Sequence, residues 1–262
     1  MINPCIFEGE TDITESTPLY KYWSIESFLY LTEFKHLRFC RITSWPDAYE
    51  GFRYEFLKKV KKCNELASKD DLYGSCWSLQ SGEKSLYKKD EGYKLAIEEL
   101  ESEGLAPMWE SYCKNGGVRI KTTVEKMNNL LSEKLGAFKI YRGKVFYEPA
   151  SSWEETLKES TCDLLISTLF MKRITFRYET EYRYIIEPNK PLAENVITVP
   201  INNLYDFIDE ILVSPATASN KWVSKTLYKI GYKIVPPPGL NTKDEKPFCR
   251  ISQLYGPISQ AL

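Results

Sequence analysis

The stretch "FRYETEYRYII", residues 176–186, decides how the second half of this chain is interpreted. In a β-strand, successive side chains point to opposite faces, so residues two apart share a face. Glu179, Glu181 and Arg183 would then leave one face of a single strand, with the two glutamates about 7 Å apart. The pattern is typical of a solvated charge ladder, and it is also the pattern of an active-site floor.

The bulk composition limits the classes of function. The chain has 262 residues, 43% hydrophobic and 27% charged, which suits one large domain with a substantial core. A net charge of −1 gives no global basic field, so a nucleic-acid partner would need a local basic patch. The single histidine, His36, excludes catalytic triads and metal sites built on several histidines.

Cysteine usage and hydropathy indicate a cytoplasmic protein. The seven cysteines are odd in number and irregularly spaced, and no C-x-x-C motif occurs. This pattern predicts reduced thiols, without a disulfide framework or a metal site. No apolar run approaches the length of a membrane-spanning helix, so we expect no membrane partner.

The order of patterns along the chain predicts an α+β fold with mixed, mostly antiparallel sheets flanked by helices. Strand and helix patterns alternate irregularly, and neither a G-x-G-x-x-G motif nor a Walker loop occurs. We expect a loose N-terminal arm over residues 1–17 and a single domain over 18–262. A charged insert at about 80–105 would be a lid, a partner surface or a tolerated loop.

Several short motifs occur in an order that resembles a bacterial family known only as a domain of unknown function. In this chain they read "LYKY" (19–22), "SWPDAYEG" (44–51), "CWS" (76–78), "MWESYCKNGGVRI" (108–120), "KRITFRYETEYR" (172–183) and "IDEILVSPATA" (208–218). Each motif is weak alone, and their order makes the resemblance specific. One departure is Pro46-Asp47 where the family has Asn-Asp, so any role of that asparagine is absent here.

The layout is also similar to the ADP-ribosyltransferase fold. There, a basic residue on a first strand, an aromatic or serine element on a second and a glutamate on a later strand surround NAD. The resemblance implies NAD as co-substrate, Glu181 beside the ribose and Glu179 as the group that orients or deprotonates the acceptor. The cofactor-binding residues that it implies are Lys21, Tyr22, Arg41, Ser44, Asp47, Glu50 and Arg183.

Toxin-type members of that fold modify proteins or nucleic acids and serve in toxin–antitoxin or phage-defence systems. The resemblance therefore implies a toxin, an antitoxin protein as partner, and an RNA or DNA acceptor. Trp109 and Tyr112, three apart on a predicted helix, are either core packing or a base-stacking pair. Lys58 and Lys59 in "LKKVKKC" are either a solvated helix face or the local patch for nucleic acid.

Ordinary roles compete with each of these assignments. Lys21 and Tyr22 also fit a surface lysine beside a core tyrosine, and the loop that holds Ser44, Asp47 and Glu50 also fits an ordinary turn. Two rival functions stay open. One is a non-enzymatic sensor or binding module in a defence operon, and the other is a hydrolase that cleaves the glycosidic bond of NAD or a nucleoside.

Overall fold

A computed structural model describes residues 2–4, 13–47, 49–63, 66–79, 99–149, 165–215, 217–232, 248–252 and 254. Residues 80–98, most of the expected insert, and 5–12 of the expected arm lie outside the described residues. The strands are β1 (Ile2–Pro4), β2 (Pro18–Ser24), β3 (His36–Arg41), β4 (Tyr73–Ser78), β5 (Gly117–Thr123), β6 (Lys139–Lys144), β7 (Phe146–Glu148), β8 (Met171–Arg173), β9 (Glu181–Glu187), β10 (Val196–Pro200), β11 (Glu210–Val213) and β12 (Phe248–Ile251). The α-helices are α1 (Ile25–Phe34), α2 (Phe52–Val60), α3 (Ala106–Tyr112), α4 (Val124–Leu135), α5 (Leu204–Phe207) and α6 (Thr217–Lys229).

The chain forms two compact units, each assembled from three segments. The first comprises Met1–Glu15, Leu37–Trp77 and Asn128–Pro200. Its strands follow the order β1-β6-β9-β4, and β3 pairs with both β4 and β10. Strands β6 and β9 are antiparallel, whereas β1 joins β6 in parallel and β7 pairs with β8 in parallel.

Strand β9 is buried along its whole length, although its first four residues alternate charged and aromatic side chains. Glu181, Arg183 and Ile185 lie two residues apart and share one face. Ile185 belongs to a buried apolar cluster with Leu57 and Phe170. The charged side chains therefore leave the sheet on the face that also carries the core of this unit.

The second unit comprises Ser16–His36, Ser78–Met127 and Ile201–Leu262. Its strands follow the order β2-β5-β11-β12. Strand β5 is antiparallel to both β2 and β11, and β12 joins β11 in parallel. Helix α1 begins after Ser24, whose side chain accepts a hydrogen bond from the Ser27 N–H, as expected of an N-cap.

The prediction of an α+β chain with mostly antiparallel pairing is confirmed. The expectation of one strand over residues 176–186 is wrong in its first half. Ile174–Glu179 form a 3₁₀ helix, Thr180 is left-handed with φ 41°, and β9 begins only at Glu181. The reason is local hydrogen bonding: the Thr180 N–H donates to the Arg177 carbonyl, and pairing with β6 starts at Tyr182.

The cysteines differ in part from the expectation of reduced thiols. Cys40, Cys76, Cys113 and Cys249 are free, whereas Cys63 is disulfide-bonded, so the expectation is wrong at Cys63. In the described part of the chain, no helix has the length and apolar character needed to cross a membrane.

Candidate functional site

A buried lysine on β8 lies at the centre of the candidate site in the first unit. The Lys172 Nζ is 2.6 Å from the Glu179 Oε2 and 3.0 Å from the Glu50 Oε1. It is also 3.4 Å from the Glu181 Oε2. An ammonium group has three N–H donors, so one side chain links three carboxylates from three places in the sequence.

Arg183 is the second cation of the site, and its side chain is fully buried. Its guanidinium donates to Glu181 through two nitrogens, with Nε–Oε1 at 2.7 Å and a second contact to Oε2 at 3.0 Å. A further contact of 2.5 Å joins it to the Glu50 Oε2, and another of 2.6 Å to the Leu169 carbonyl. The Trp45 ring lies 4.5 Å from the guanidinium carbon, so the cation is both paired and stacked.

The charges of this cluster do not cancel. Three carboxylates (Glu50, Glu179, Glu181) face two cations (Lys172, Arg183), so the fully ionised cluster has a formal charge of 2 − 3 = −1. All five side chains are buried, where an uncompensated charge is costly. The surplus charge favours the uptake of a proton or of a cationic group. We call these five residues the carboxylate cluster.

Two carboxylates in the cluster have pKa values shifted in opposite directions. Burial alone would raise the pKa of Glu181, but the Arg183 guanidinium and the Lys172 ammonium outweigh burial and lower it. Burial raises the pKa of Glu179, and the charge of Glu181 adds to the rise, against the opposing charge of Lys172. The surroundings of Glu181 therefore favour its ionised form, while Glu179 binds a proton more readily than an ordinary glutamate does.

A left-handed residue brings the two glutamates together. Thr180 separates them with φ 41°, so the chain turns between Glu179 and Glu181 and both carboxylates reach Lys172. The Glu181 N–H donates to the Tyr147 hydroxyl over 2.9 Å. The Cys76 thiol on β4 hydrogen-bonds to the Glu181 carboxylate. Backbone and side chain of Glu181 are therefore both held in place.

The loop before α2 supplies Glu50 and a second ion pair. Arg173 contacts Asp47 through two nitrogens, at 3.1 and 3.3 Å. The same Asp47 carboxylate accepts a hydrogen bond from the Tyr49 N–H over 3.0 Å, which is an Asx turn. The Arg173 guanidinium carbon lies 4.5 Å from the Tyr49 ring and 5.2 Å from the Phe176 ring.

The structure brings several predicted site residues together. Glu50, Glu179, Glu181 and Arg183 meet in the carboxylate cluster, and Asp47 lies in the same loop as Glu50. The charged-ladder alternative does not describe them, because these side chains are buried rather than solvated. Their roles in catalysis or NAD binding stay predictions.

Several other predicted site residues of the first unit donate hydrogen bonds to backbone carbonyls. Arg41 donates to the carbonyls of Leu192 and Glu194, at 2.5 and 3.1 Å. The Ser44 hydroxyl donates to the Arg41 carbonyl over 2.7 Å. Lys58 donates to the Ala67 carbonyl over 2.9 Å, whereas Lys59 is exposed on α2. These contacts are structural, and the predicted ligand roles stay predictions.

The remaining predicted residues lie in the second unit. The Tyr22 and Trp109 rings make an edge-to-face contact at 4.8 Å, and the Tyr22 hydroxyl accepts from the Leu105 N–H. The Trp109 Nε1 donates to the Glu103 carbonyl, which favours core packing for this residue. The Lys21 ammonium lies 5.7 Å from the Trp23 ring, and Tyr112 is exposed on α3.

Sequence reasoning missed Lys172, Arg173 and Cys76. Lys172 and Arg173 open the motif "KRITFRYETEYR", but a basic pair beside a turn is also an ordinary surface pattern. Only the tertiary structure shows that Lys172 is buried against three glutamates. Among the described residues, no group of three or more His, Cys, Asp or Glu side chains is arranged to hold a metal ion.

Comparison with known proteins gives two similarities. The profile of the family described as "Protein of unknown function (DUF2971)" matches residues 108–184, which include Lys172, Glu179, Glu181 and Arg183. The solved structure "Thermus sp. 2.9 DarT in complex with NAD+" is similar with a TM-score of 0.33 and 12% identity, over 91% of this chain and 96% of that chain. No curated protein matches the chain.

Proposed function

We propose that the chain is an NAD-dependent ADP-ribosyltransferase whose reaction centres on Glu181 and Glu179. The observation that carries this proposal is the pair of buried carboxylates, two residues apart, with pKa values shifted in opposite directions around one ammonium. Two carboxyl groups with divided roles are what glycosidic-bond chemistry needs. The order of sequence motifs supports the same assignment.

The chemistry assigns one step to each carboxylate. The bond between ribose C1′ and the nicotinamide nitrogen breaks, nicotinamide leaves as a neutral molecule with the bonding pair, and positive charge develops on the ribose. An ionised Glu181 stabilises that charge. The acceptor nucleophile forms the new bond to C1′, and its proton passes to Glu179, whose raised pKa suits a general base.

The surplus negative charge of the carboxylate cluster fits a co-substrate that brings a cation. The nicotinamide ring of NAD is positively charged before cleavage, and the ribose becomes positive during it. Glu50 and Arg183 belong to the carboxylate cluster, and Asp47 pairs with Arg173 in the loop that carries Glu50; these three are the residues of this unit that we propose as contacts of the co-substrate. Metal ions have no part in the proposed reaction.

The resemblance of the sequence to toxin-type ADP-ribosyltransferases also supports a proposal for the biological role. We propose a toxin of a phage-defence or toxin–antitoxin system, with an antitoxin protein as partner and a nucleic acid, RNA or DNA, as acceptor. We propose that it acts in the cytoplasm, where NAD and these acceptors are present together. Lys58 and Lys59 on α2 remain the basic side chains that we propose for the acceptor.

The test uses NAD labelled in its adenylate part and a cell lysate that contains DNA, RNA and protein. Glu181→Gln is the matched variant, since it leaves two carboxylates beside two cations, a formal charge of 2 − 2 = 0, and so adds no unpaired buried charge. Label transferred by the native chain and lost in Glu181→Gln supports the transferase, and the labelled fraction identifies the acceptor class.

Two other results would replace the proposal. Nicotinamide release without transferred label would indicate the hydrolase. The absence of both turnover and NAD binding would indicate the non-enzymatic binding module. NAD binding is measured by calorimetry, and circular dichroism must show that the native fold is intact.

A further inference from the structure

The outer face of α2 carries two exposed aromatic rings. Phe52 is 52% exposed and Phe56 is 42% exposed. Their centroids are 6.0 Å apart and their planes differ by 22°, so the rings are nearly parallel. They are four residues apart and therefore lie on one side of the helix. Apolar side chains grouped at a surface mark an interaction site more often than isolated ones do.

Lysines continue this face. Lys59 follows Phe52 by seven residues and Phe56 by three, which is the spacing of one helix face. Lys61 and Lys62 come directly after the helix, and all three lysines are exposed. The acidic residue of the helix, Glu55, accepts a hydrogen bond from the Lys69 N–H over 2.7 Å. Phe52, Phe56 and Lys59 on one side of the helix, together with the exposed Lys61 and Lys62 just after it, therefore give an aromatic and cationic surface, and we call it the aromatic–basic face.

The aromatic–basic face begins beside the carboxylate cluster. Phe52 follows Glu50 by two residues, a span of at most about 7 Å. Glu50 itself contacts Lys172 and Arg183. Tyr49, 52% exposed, lies on the other side of Glu50 and packs against Arg173. A ligand that lies along the aromatic–basic face can thus reach the loop that carries Glu50.

We infer that the aromatic–basic face binds single-stranded nucleic acid. Unpaired bases stack on the two phenyl rings, and the neighbouring phosphates face the lysines. A duplex shows a protein only its base edges, so flat aromatic faces fit unpaired bases. The role of the bound nucleic acid as acceptor rests on the proposed function, whereas the binding of nucleic acid to this face does not.

The experiment measures fluorescence anisotropy of labelled single-stranded DNA and RNA of mixed sequence, with the full chain and without NAD. Phe52→Ala/Phe56→Ala should weaken binding about 10-fold or more. Phe34→Ala is the matched control, because Phe34 is 55% exposed on α1 in the second unit; its affinity should match the native chain. Lys59→Gln/Lys61→Gln/Lys62→Gln should reduce the slope of log K against log salt by about 2.

Several outcomes would overturn the inference. The first is no oligonucleotide binding at low salt. The second is that Phe52→Ala/Phe56→Ala binds the oligonucleotides with the affinity of the native chain. The third is that this variant loses binding only to vesicles of anionic lipid, which would indicate that the face binds a membrane surface. The labelled-NAD assay separates the two proposals. Transfer of label to nucleic acid that is lost in Glu181→Gln but unchanged in Phe52→Ala/Phe56→Ala, with oligonucleotide affinity also unchanged in the latter, contradicts this inference alone. Oligonucleotide binding that needs the two phenylalanines, without any transfer, supports it and contradicts the proposed function.

Discussion

At the scale of single residues, the carboxylate cluster shows how neighbours assign different chemistry to identical side chains. Glu179 and Glu181 are both buried and both contact Lys172. Glu181 differs because a guanidinium contacts both of its oxygens. Paired cations favour the ionised form, and burial without enough of them favours the neutral form. The opposite directions of the two pKa shifts follow from Arg183.

The lowered pKa of Glu181, to about 2, predicts an acid-sensitive contribution to stability. Its folded pKa lies below the unfolded value near 4.3, so the contribution is present above that value and is lost as the pH falls toward the folded pKa. We expect the native chain to lose roughly 3 kcal/mol more than Glu181→Gln between about pH 5 and pH 2. Urea unfolding across this range tests it, with the exposed Glu133→Gln as control; parallel curves for native chain and Glu181→Gln would contradict it.

Lys172 predicts a large loss of stability. Lys172→Met leaves three buried carboxylates with one cation, a formal charge of 1 − 3 = −2. We expect a cost of about 3–5 kcal/mol at pH 7 in urea unfolding, partly regained at lower pH as Glu179 takes up a proton. Lys139→Met is the control, because the Lys139–Glu187 pair is partly exposed; its cost should stay below about 1 kcal/mol. Similar costs for both variants would show that the charge count does not govern stability here.

At the scale of elements, the junction between the 3₁₀ helix and β9 is what positions the site. Thr180 adopts a left-handed conformation, and its N–H donates to the Arg177 carbonyl. Proline cannot adopt this conformation and has no N–H, so Thr180→Pro should cost about 3 kcal/mol or more and abolish transfer. Thr180→Gly should keep stability within about 1 kcal/mol and keep transfer, since glycine tolerates positive φ. Thermal unfolding and the NAD assay test both variants; a fully active Thr180→Pro would show that the turn is dispensable.

This junction also marks the limit of prediction from the sequence. The strand pattern of "EYRYII" and the shared face of Glu181 and Arg183 were predictable, because β-strand periodicity is local. The turn at Thr180 was not, since threonine rarely adopts positive φ and no glycine or asparagine marks the site. Lys172 was also beyond prediction, because its burial depends on contacts with Glu50, far away in the sequence.

At the scale of the whole molecule, the proposed toxicity gives a test in cells. Expression of the native chain without an antitoxin should reduce bacterial colony counts, because uncontrolled transfer damages the acceptor. Glu181→Gln should restore growth, since loss of one electrostatic contact to the reacting group lowers turnover by about 100-fold or more. Glu133→Gln, on the exposed side of α4, should remain toxic at equal protein level. Equal toxicity of native chain and Glu181→Gln would contradict an enzymatic toxin.

The carboxylate cluster draws its members from distant parts of the chain, and this has a consequence for the order of protein synthesis. Glu50 and Arg183 touch at 2.5 Å although 133 positions separate them. A ribosome makes Glu50 first and must then add Lys172, both remaining glutamates and Arg183 before all the ion pairs of the cluster can form. A nascent chain that ends before Arg183 therefore cannot contain the assembled cluster. The proposed activity can arise during translation only after that residue has been added.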